Sequence, residues 1–169
     1  MERGYYSYRI HKKEHYPDSL RESKNVLNRM KNPDEEYFLL TDNSPRKAFT
    51  NYMDDKGLDY DSKKLKQIIK DSHPMIIGIK EYYNRPRPSQ INSDIVPHVS
   101  STAQTPAYPS GHAFQSYMLA KYLSREHPLH TFKFYSIANR IANSRVSVGL
   151  HYPSDNRKAF QMAHSLWNF

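Results

Sequence analysis

Residues 109–125 read Pro109-Ser110-Gly111-His112-Ala113-Phe114-Gln115-Ser116-Tyr117-Met118-Leu119-Ala120-Lys121-Tyr122-Leu123-Ser124-Arg125, and this stretch decides the fold class. Ser110 stands where a helix N-cap stands, and Phe114, Tyr117, Met118 and Tyr122 recur at spacings of three and four, the period of one helix face. A helix amino terminus offers unpaired N–H groups and the positive end of the helix dipole, so the residues that start this helix also suit an anion. Gly111 lets the backbone come close to such a group, and His112 sits in the first turn within reach of it. The tetrapeptide alone is equally compatible with an ordinary N-cap and an exposed histidine.

Outward from this segment the same period recurs. Downstream, the pattern predicts helices over about 129–144 and 154–167. Upstream, Asp18 or Ser19 caps a helix running to Met30, Ser44-Pro45 opens one carrying Ala48, Phe49 and Tyr52, and a third spans 62–71. Pro74 is read as opening a further helix with Ile76, Ile77, Ile79 and Lys80, which Arg85-Pro86-Arg87-Pro88 must end. Gln90 to Tyr108 is rich in Ser, Thr, Asn and Pro and reads as a long loop of the kind that often carries function. Alternation of strand type is confined to Arg145-Val146-Ser147-Val148-Gly149, too short for a sheet. The expected architecture is all-α, a single-domain helical bundle over residues 1–169 with an active site at helix ends.

The 169 residues suit one hydrophobic core, and 37% hydrophobic against 25% charged residues is the balance of a soluble globular chain. The most apolar run, 75–79, is flanked by His73 and Lys80 and is far short of a membrane span, so membrane insertion is not expected. Residues 1–8 lack the apolar core of a signal peptide, which points to the cytoplasm. Absence of cysteine excludes disulfides, thiolate metal sites and a cysteine nucleophile. The formal charge of +8 favours anionic partners. Its densest cluster, Lys63, Lys64, Lys66 and Lys70, lies on a helix whose other face carries Leu65, Ile68 and Ile69, and reads as a solvated face. Tyr5, Tyr6, Tyr8, Lys12 and Lys13 read as a polar amino-terminal arm, so nucleic acid is not the expected partner.

Two further segments carry chemistry. Lys80 precedes Arg87-Pro88 by seven residues, and Ser144-Arg145 is followed by His151 and Asp155. Arginine's planar fork is the best single donor to phosphate oxygens, and lysine adds a point charge. Asp155, four residues after His151 across a Tyr152-Pro153 turn, can take Nδ1 and leave Nε2 free as a nucleophile. Taken singly, each has a plainer reading: surface cations for Lys80 and Arg87, and a structural hydrogen bond for His151 and Asp155.

Together, Lys-x6-Arg-Pro, Pro-Ser-Gly-His and Ser-Arg-x5-His-x3-Asp resemble the three-part signature of the phosphatidic acid phosphatase type 2 and vanadium haloperoxidase superfamily. The match runs from Lys80 to Asp155, and the nearest soluble type it is similar to is the class A bacterial acid phosphatases. The resemblance implies a soluble acid phosphatase that hydrolyses small phosphate monoesters through a phosphohistidine. In it His151 attacks phosphorus, Asp155 orients it, and His112 protonates the leaving oxygen and then activates water. Lys80, Arg87, Ser110, Gly111 and Arg145 hold the phosphate oxygens. It further implies no metal or organic cofactor, a pocket that vanadate or phosphate can occupy, and a homodimer as one arrangement. The chain departs from the family where Asn156-Arg157-Lys158 replaces small residues after Asp155, so packing there must differ. The alternatives are a vanadate-dependent haloperoxidase, a non-catalytic phosphate- or nucleic-acid-binding protein, and a metal hydrolase with His112, His151 and Asp155 as ligands.

Overall fold

The computed structural model describes residues 16–166. Its helices are α1 (Ser19–Arg29), α2 (Glu35–Thr41), α3 (Arg46–Lys56), α4 (Ser62–Tyr83), the short α5 (Pro88–Ile91), α6 (Gly111–Glu126), α7 (Thr131–Ser147) and α8 (Pro153–Leu166), with a 3₁₀ turn at Pro128–His130. The fold is an all-α single domain with no strand among the described residues. None of these helices is long and apolar enough to cross a membrane. The residues read as an amino-terminal arm, Tyr5, Tyr6, Tyr8, Lys12 and Lys13, and Trp167, to which the sequence reading extends the last helix, lie outside the described residues.

Helix α6 is the axis of the bundle. It is buried around its circumference, from Ala113 through Ala120 and again at Leu123, and it packs against α4, α7 and α8. A helix buried all round needs apolar neighbours on every side. Phe49, Met53, Leu65, Ile68, Phe134, Ile141 and Met162 supply them. Two smaller apolar groups, Val26 with Ile95, Val146 and Tyr152, and Phe38 with Val148 and Leu150, seat α1 and α2 beneath the segment that carries His151.

Two of the predicted caps are present, whereas α3 begins with Pro45 as its N-cap, without a side-chain cap bond, rather than with Ser44. Asp18 accepts from the Arg21 N–H at 2.7 Å, and Ser110 accepts from the Ala113 N–H at 3.3 Å. Pro74 does not open a helix; it lies inside the single helix α4, which runs unbroken from Ser62 to Tyr83. Proline forfeits one backbone bond there, but the turn before it is held from outside, since Ser72 Oγ donates to the Ile69 carbonyl and Gln115 Nε2 donates to both. The alternating residues 145–149, read as too short for a sheet, are the last turn of α7 and the bend after it. Helix α2, capped by the Asp34 carboxylate on the Tyr37 N–H, is not in the sequence reading at all.

Candidate active site

Four helix ends meet at one place: the carboxyl-terminal part of α4, the amino termini of α6 and α8, and the last turn of α7. The Ser110 N–H donates to the Asp155 carbonyl at 3.2 Å and ties the two amino termini together. Around them is a cavity of about 410 Å³, a volume typical of small-molecule sites, whose wall includes Lys80, Arg87, Gly111, His112, Arg145 and His151. Residues spread over 72 positions of sequence are thus gathered on one concave surface.

His151 follows a bend that only glycine fits. Gly149 has φ +82°, and a Cβ there would meet Met30 Sδ at 3.0 Å and Ile95 Cγ2 at 3.2 Å. The bend turns the His151 ring onto α8, where Nδ1 lies 3.0 Å from Asp155 Oδ2. On the other side of the ring, Arg87 Nη1 lies 3.0 Å from Nε2. A guanidinium can only donate, so Nε2 is the accepting nitrogen and the ring proton sits on Nδ1, facing the carboxylate. Burial, then the charges of Arg87, Lys80 and Arg145, push the His151 imidazolium well below its ordinary range. The ring is therefore neutral, with its lone pair on the pocket side.

Asp155 is fully buried behind His151. Its Oδ2 also accepts from the Tyr152 N–H at 2.9 Å, and its Oδ1 accepts from Arg85 Nη1 at 2.8 Å. Burial raises the Asp155 carboxyl, while the Arg85 guanidinium and the Tyr152 N–H act to keep it ionised. Arg85, itself without exposure, also donates to Glu22 Oε2 at 2.8 Å and Ser154 Oγ at 2.6 Å and lies 3.7 Å over the Tyr152 ring.

The cations are held by neutral or compensated partners. Lys80 donates to the Pro106 carbonyl, and burial followed by the charge of Arg87 lowers its ammonium from the usual lysine range. Arg87 donates from Nε to the Thr105 carbonyl and from Nη1 to the Leu150 carbonyl, both at 2.8 Å, and burial lowers it to about 10. Arg145 pairs with Asp42 Oδ1 at 2.5 Å and reaches Thr102 Oγ1 at 3.1 Å, yet its Nε is buried without a partner. Such a donor is costly to leave unmet and marks a place where an acceptor belongs.

His112 Nε2 lies 2.8 Å from the Asp42 carbonyl, so Nε2 carries the proton and Nδ1 is the free nitrogen. Burial and the nearby Arg145 lower the imidazolium to about 3. Gly111 lies against α4; a Cβ there would be 3.4 Å from Ile76 Cγ2 and 3.9 Å from Lys80 Cε, filling the space in front of the lysine. Ser110 is fully buried and is not on the cavity wall; its oxygen caps α6, and its own proton remains available to donate. Among the described residues no group of three or more His, Asp or Glu is placed to hold a metal ion, and His112, His151 and Asp155 do not make one.

Three residues with a part in this arrangement are given no site role by the sequence reading. Asp42 serves two site groups at once, Arg145 through its carboxylate and His112 through its carbonyl. Arg85 and Glu22 form the ionic floor beneath Asp155. Arg85 carries a readable signal, being one member of the Arg-Pro-Arg-Pro repeat. Asp42 carries none, lying 103 residues from Arg145. After Asp155, Asn156 is buried and donates to the Ala142 carbonyl at 2.8 Å, and Lys158 is buried with its Nζ 6.0 Å from the Tyr83 ring.

These shifts bear on the acid stability of the protein. His112 and His151 are neutral when folded but protonate near pH 6.5 when unfolded, so each favours unfolding as pH falls below that value. Asp155, raised when folded, has the opposite sign and offsets one of them. The unfolded chain therefore binds more protons than the folded one between roughly pH 6 and 4, and stability is lost as pH falls through that range. Thermal melts should fall by about 5–10 °C over that range. Inorganic phosphate should restore more of the loss at pH 5 than at pH 8; a melt that rises on acidification would contradict the neutral-histidine assignment.

A family model described as the PAP2 superfamily matches residues 69–166, which include all three motifs and the whole of α6, α7 and α8. No curated protein matches the chain.

Proposed function

The chain belongs to the PAP2 superfamily, and from that premise and the geometry of the cavity we propose that it is a phosphate monoester hydrolase working through a phosphohistidine on His151, without a metal. The observation that carries the reading is the His151 ring itself: Nδ1 is held by a buried carboxylate, and the Nε2 lone pair faces a cavity lined by Lys80, Arg87 and Arg145.

In this mechanism the phosphoryl group enters at the amino terminus of α6. Its oxygens take Arg145 Nε, Lys80, Arg87 and the Gly111 N–H, and Arg87 Nη1 moves from His151 Nε2 to a phosphoryl oxygen. Ser110 contributes its hydroxyl proton from behind Gly111. Nε2 then forms the N–P bond as the ester P–O bond breaks. The leaving oxygen takes a proton from His112 Nδ1, and Asp155 stabilises the positive charge growing on the His151 ring. In the second step a water oxygen forms the new P–O bond while the N–P bond breaks, and His112 Nδ1 accepts the water's proton. General acid help of this kind supplies about 10²–10⁴ in rate, and the fixed cations around the transferring group supply more.

The low proton affinity that burial and Arg145 give His112 fits this scheme when bound phosphate raises it. A phosphate dianion beside Nδ1 offsets the field of Arg145, so binding should be accompanied by proton uptake and turnover should favour acid pH.

The test is hydrolysis of p-nitrophenyl phosphate across pH 4 to 9 with a chelator present. Activity that survives the chelator and is blocked by micromolar vanadate is the expected result. Activity restored only by added divalent metal, or indifference to vanadate in a turning-over enzyme, would overturn it.

A further inference from the structure

The four lysines of the first half of α4, Lys63, Lys64, Lys66 and Lys70, differ in where they point. Successive residues of a helix turn by about 100°. With His73 as reference, the cavity-lining residues Lys80, Ile69, Ile77 and Ile76 all fall within about 60° of it. Lys66 falls within about 20° and Lys70 within about 60°, whereas Lys64 lies on the opposite side. The face of α4 that walls the cavity therefore continues past the mouth as Lys70 and then Lys66. Both are exposed, and neither joins an ion pair among the described residues.

Axial rise turns this stripe into a ruler. At about 1.5 Å per residue, His73 stands about 10 Å from Lys80 along the helix, Lys70 about 15 Å and Lys66 about 21 Å. Ile76 and Ile77 lie in the first interval, and Thr102 and Gln104 add a hydroxyl and an amide to the lining of the same cavity. No carboxylate lines the cavity. A phosphate held at Lys80 is thus followed outward by an apolar flank in a cavity that also offers hydrogen-bonding groups, then an imidazole, then two ammonium groups.

A glycerol or hexose phosphate ends before it reaches Lys70. A leaving group that uses the whole face must alternate a flat, partly apolar unit with further negative charge and extend some 20 Å, which is the chemistry of a single nucleic-acid strand. We infer that the substrate class is the terminal phosphate monoester of a single-stranded oligonucleotide. The end phosphate enters the cavity, the first nucleoside lies against Ile76 and Ile77, the next phosphate falls near His73, and the two phosphates after it lie on Lys70 and Lys66. The reaction is the hydrolysis already described: the terminal ester P–O bond breaks, the strand leaves with a free hydroxyl, and water supplies the oxygen of the released phosphate. The inference rests on the phosphomonoesterase reading. It also gives part of the +8 charge a use that the cavity alone does not.

The test compares kcat/KM for thymidine oligonucleotides of one, two and four residues bearing a 5′- or 3′-terminal phosphate, with glycerol phosphate as the short reference. The unmodified protein is set beside Lys66→Gln/Lys70→Gln, whose changes are exposed and outside the cavity. Two added phosphate contacts on a single strand correspond to a log–log salt slope of about −1.4. The tetramer should therefore lose about 25-fold more than glycerol phosphate between roughly 50 and 500 mM salt. At low salt it should exceed the mononucleotide by tenfold or more, and the double variant should remove that gain while glycerol phosphate is turned over as before. Rates flat with length, or a length gain that survives the double variant, would overturn the inference while leaving the hydrolase intact. If no monoester is hydrolysed at all, the hydrolase reading fails separately. Anisotropy of a labelled, terminally phosphorylated tetramer then decides the inference: lysine-dependent binding displaced by inorganic phosphate supports it, and its absence removes it.

Discussion

His151→Ala should lower kcat/KM for p-nitrophenyl phosphate by about 10⁴-fold or more, the scale seen when an enzyme loses its covalent nucleophile. Phosphate binding should change far less, because Lys80, Arg87, Arg145 and the start of α6 remain. Arg87 Nη1 also loses an acceptor at 3.0 Å and becomes free to meet a phosphate oxygen. The variant thus separates holding from cleaving: an anion-binding protein that merely carries the motif would show no activity to lose. Rapid quenching of the unmodified protein with substrate should trap phosphate on a single histidine, with the acid lability and alkali stability of a P–N bond. Asp155→Asn keeps the shape but offers an amide in place of a carboxylate, so His151 loses its fixed tautomer and the stabilisation of its positive charge. It should be severely impaired while still forming some phosphoenzyme. A His151→Ala protein that melts normally and hydrolyses at the unmodified rate would remove the histidine mechanism.

The parts of this site that could be read in the sequence are those coded by short spacings. Pro-Ser-Gly-His is a helix start, His-x3-Asp crosses one turn into α8, and Lys80 and Arg87 flank one helix end. In each case local backbone geometry settles where the side chain goes. The all-helical class was legible for the same reason, since periodic burial along α6 needs no long-range information. Partners brought by tertiary packing were not. Asp42 lies at the end of a seven-residue helix with little periodicity to detect. Its pairing with Arg145 depends on α2 resting on α7. Pro74 misled because proline more often opens a helix than sits within one, and only the packing of α4 on α6 reverses that preference. The lysine stripe was visible as composition, but its direction depends on α4 being one helix: with a break at Pro74, Lys66 and Lys70 bear no fixed relation to Ile77 and Lys80.

Arg85→Met should be the most destabilising single change in the site region. The guanidinium is completely buried and donates to Glu22, Asp155, Ser154, Ser19 and the Pro17 carbonyl, with its plane 3.7 Å over Tyr152. Methionine restores much of the volume but leaves two carboxylates in a space built for their counter-ion. Removing one partner of a buried ion pair costs about 3–5 kcal/mol, mostly as the penalty on the charge left behind. For a domain of this size that lowers the melting temperature by about 6–20 °C. Glu22→Gln in the same protein should recover part of the loss by removing one of the stranded charges, an outcome that a simple packing defect would not give. The chemical effect has a separate readout. With Arg85 gone, nothing of comparable strength keeps Asp155 ionised against its burial, so its carboxyl rises further and protonates at higher pH. A protonated Asp155 holds the Nδ1 proton of His151 less strongly, so the acid limb of kcat should move to higher pH in Arg85→Met. If stability falls and the pH profile stays in place, Arg85 supports the fold alone; if both move, the same guanidinium that ties α1 to α8 also keeps the carboxylate behind His151 charged.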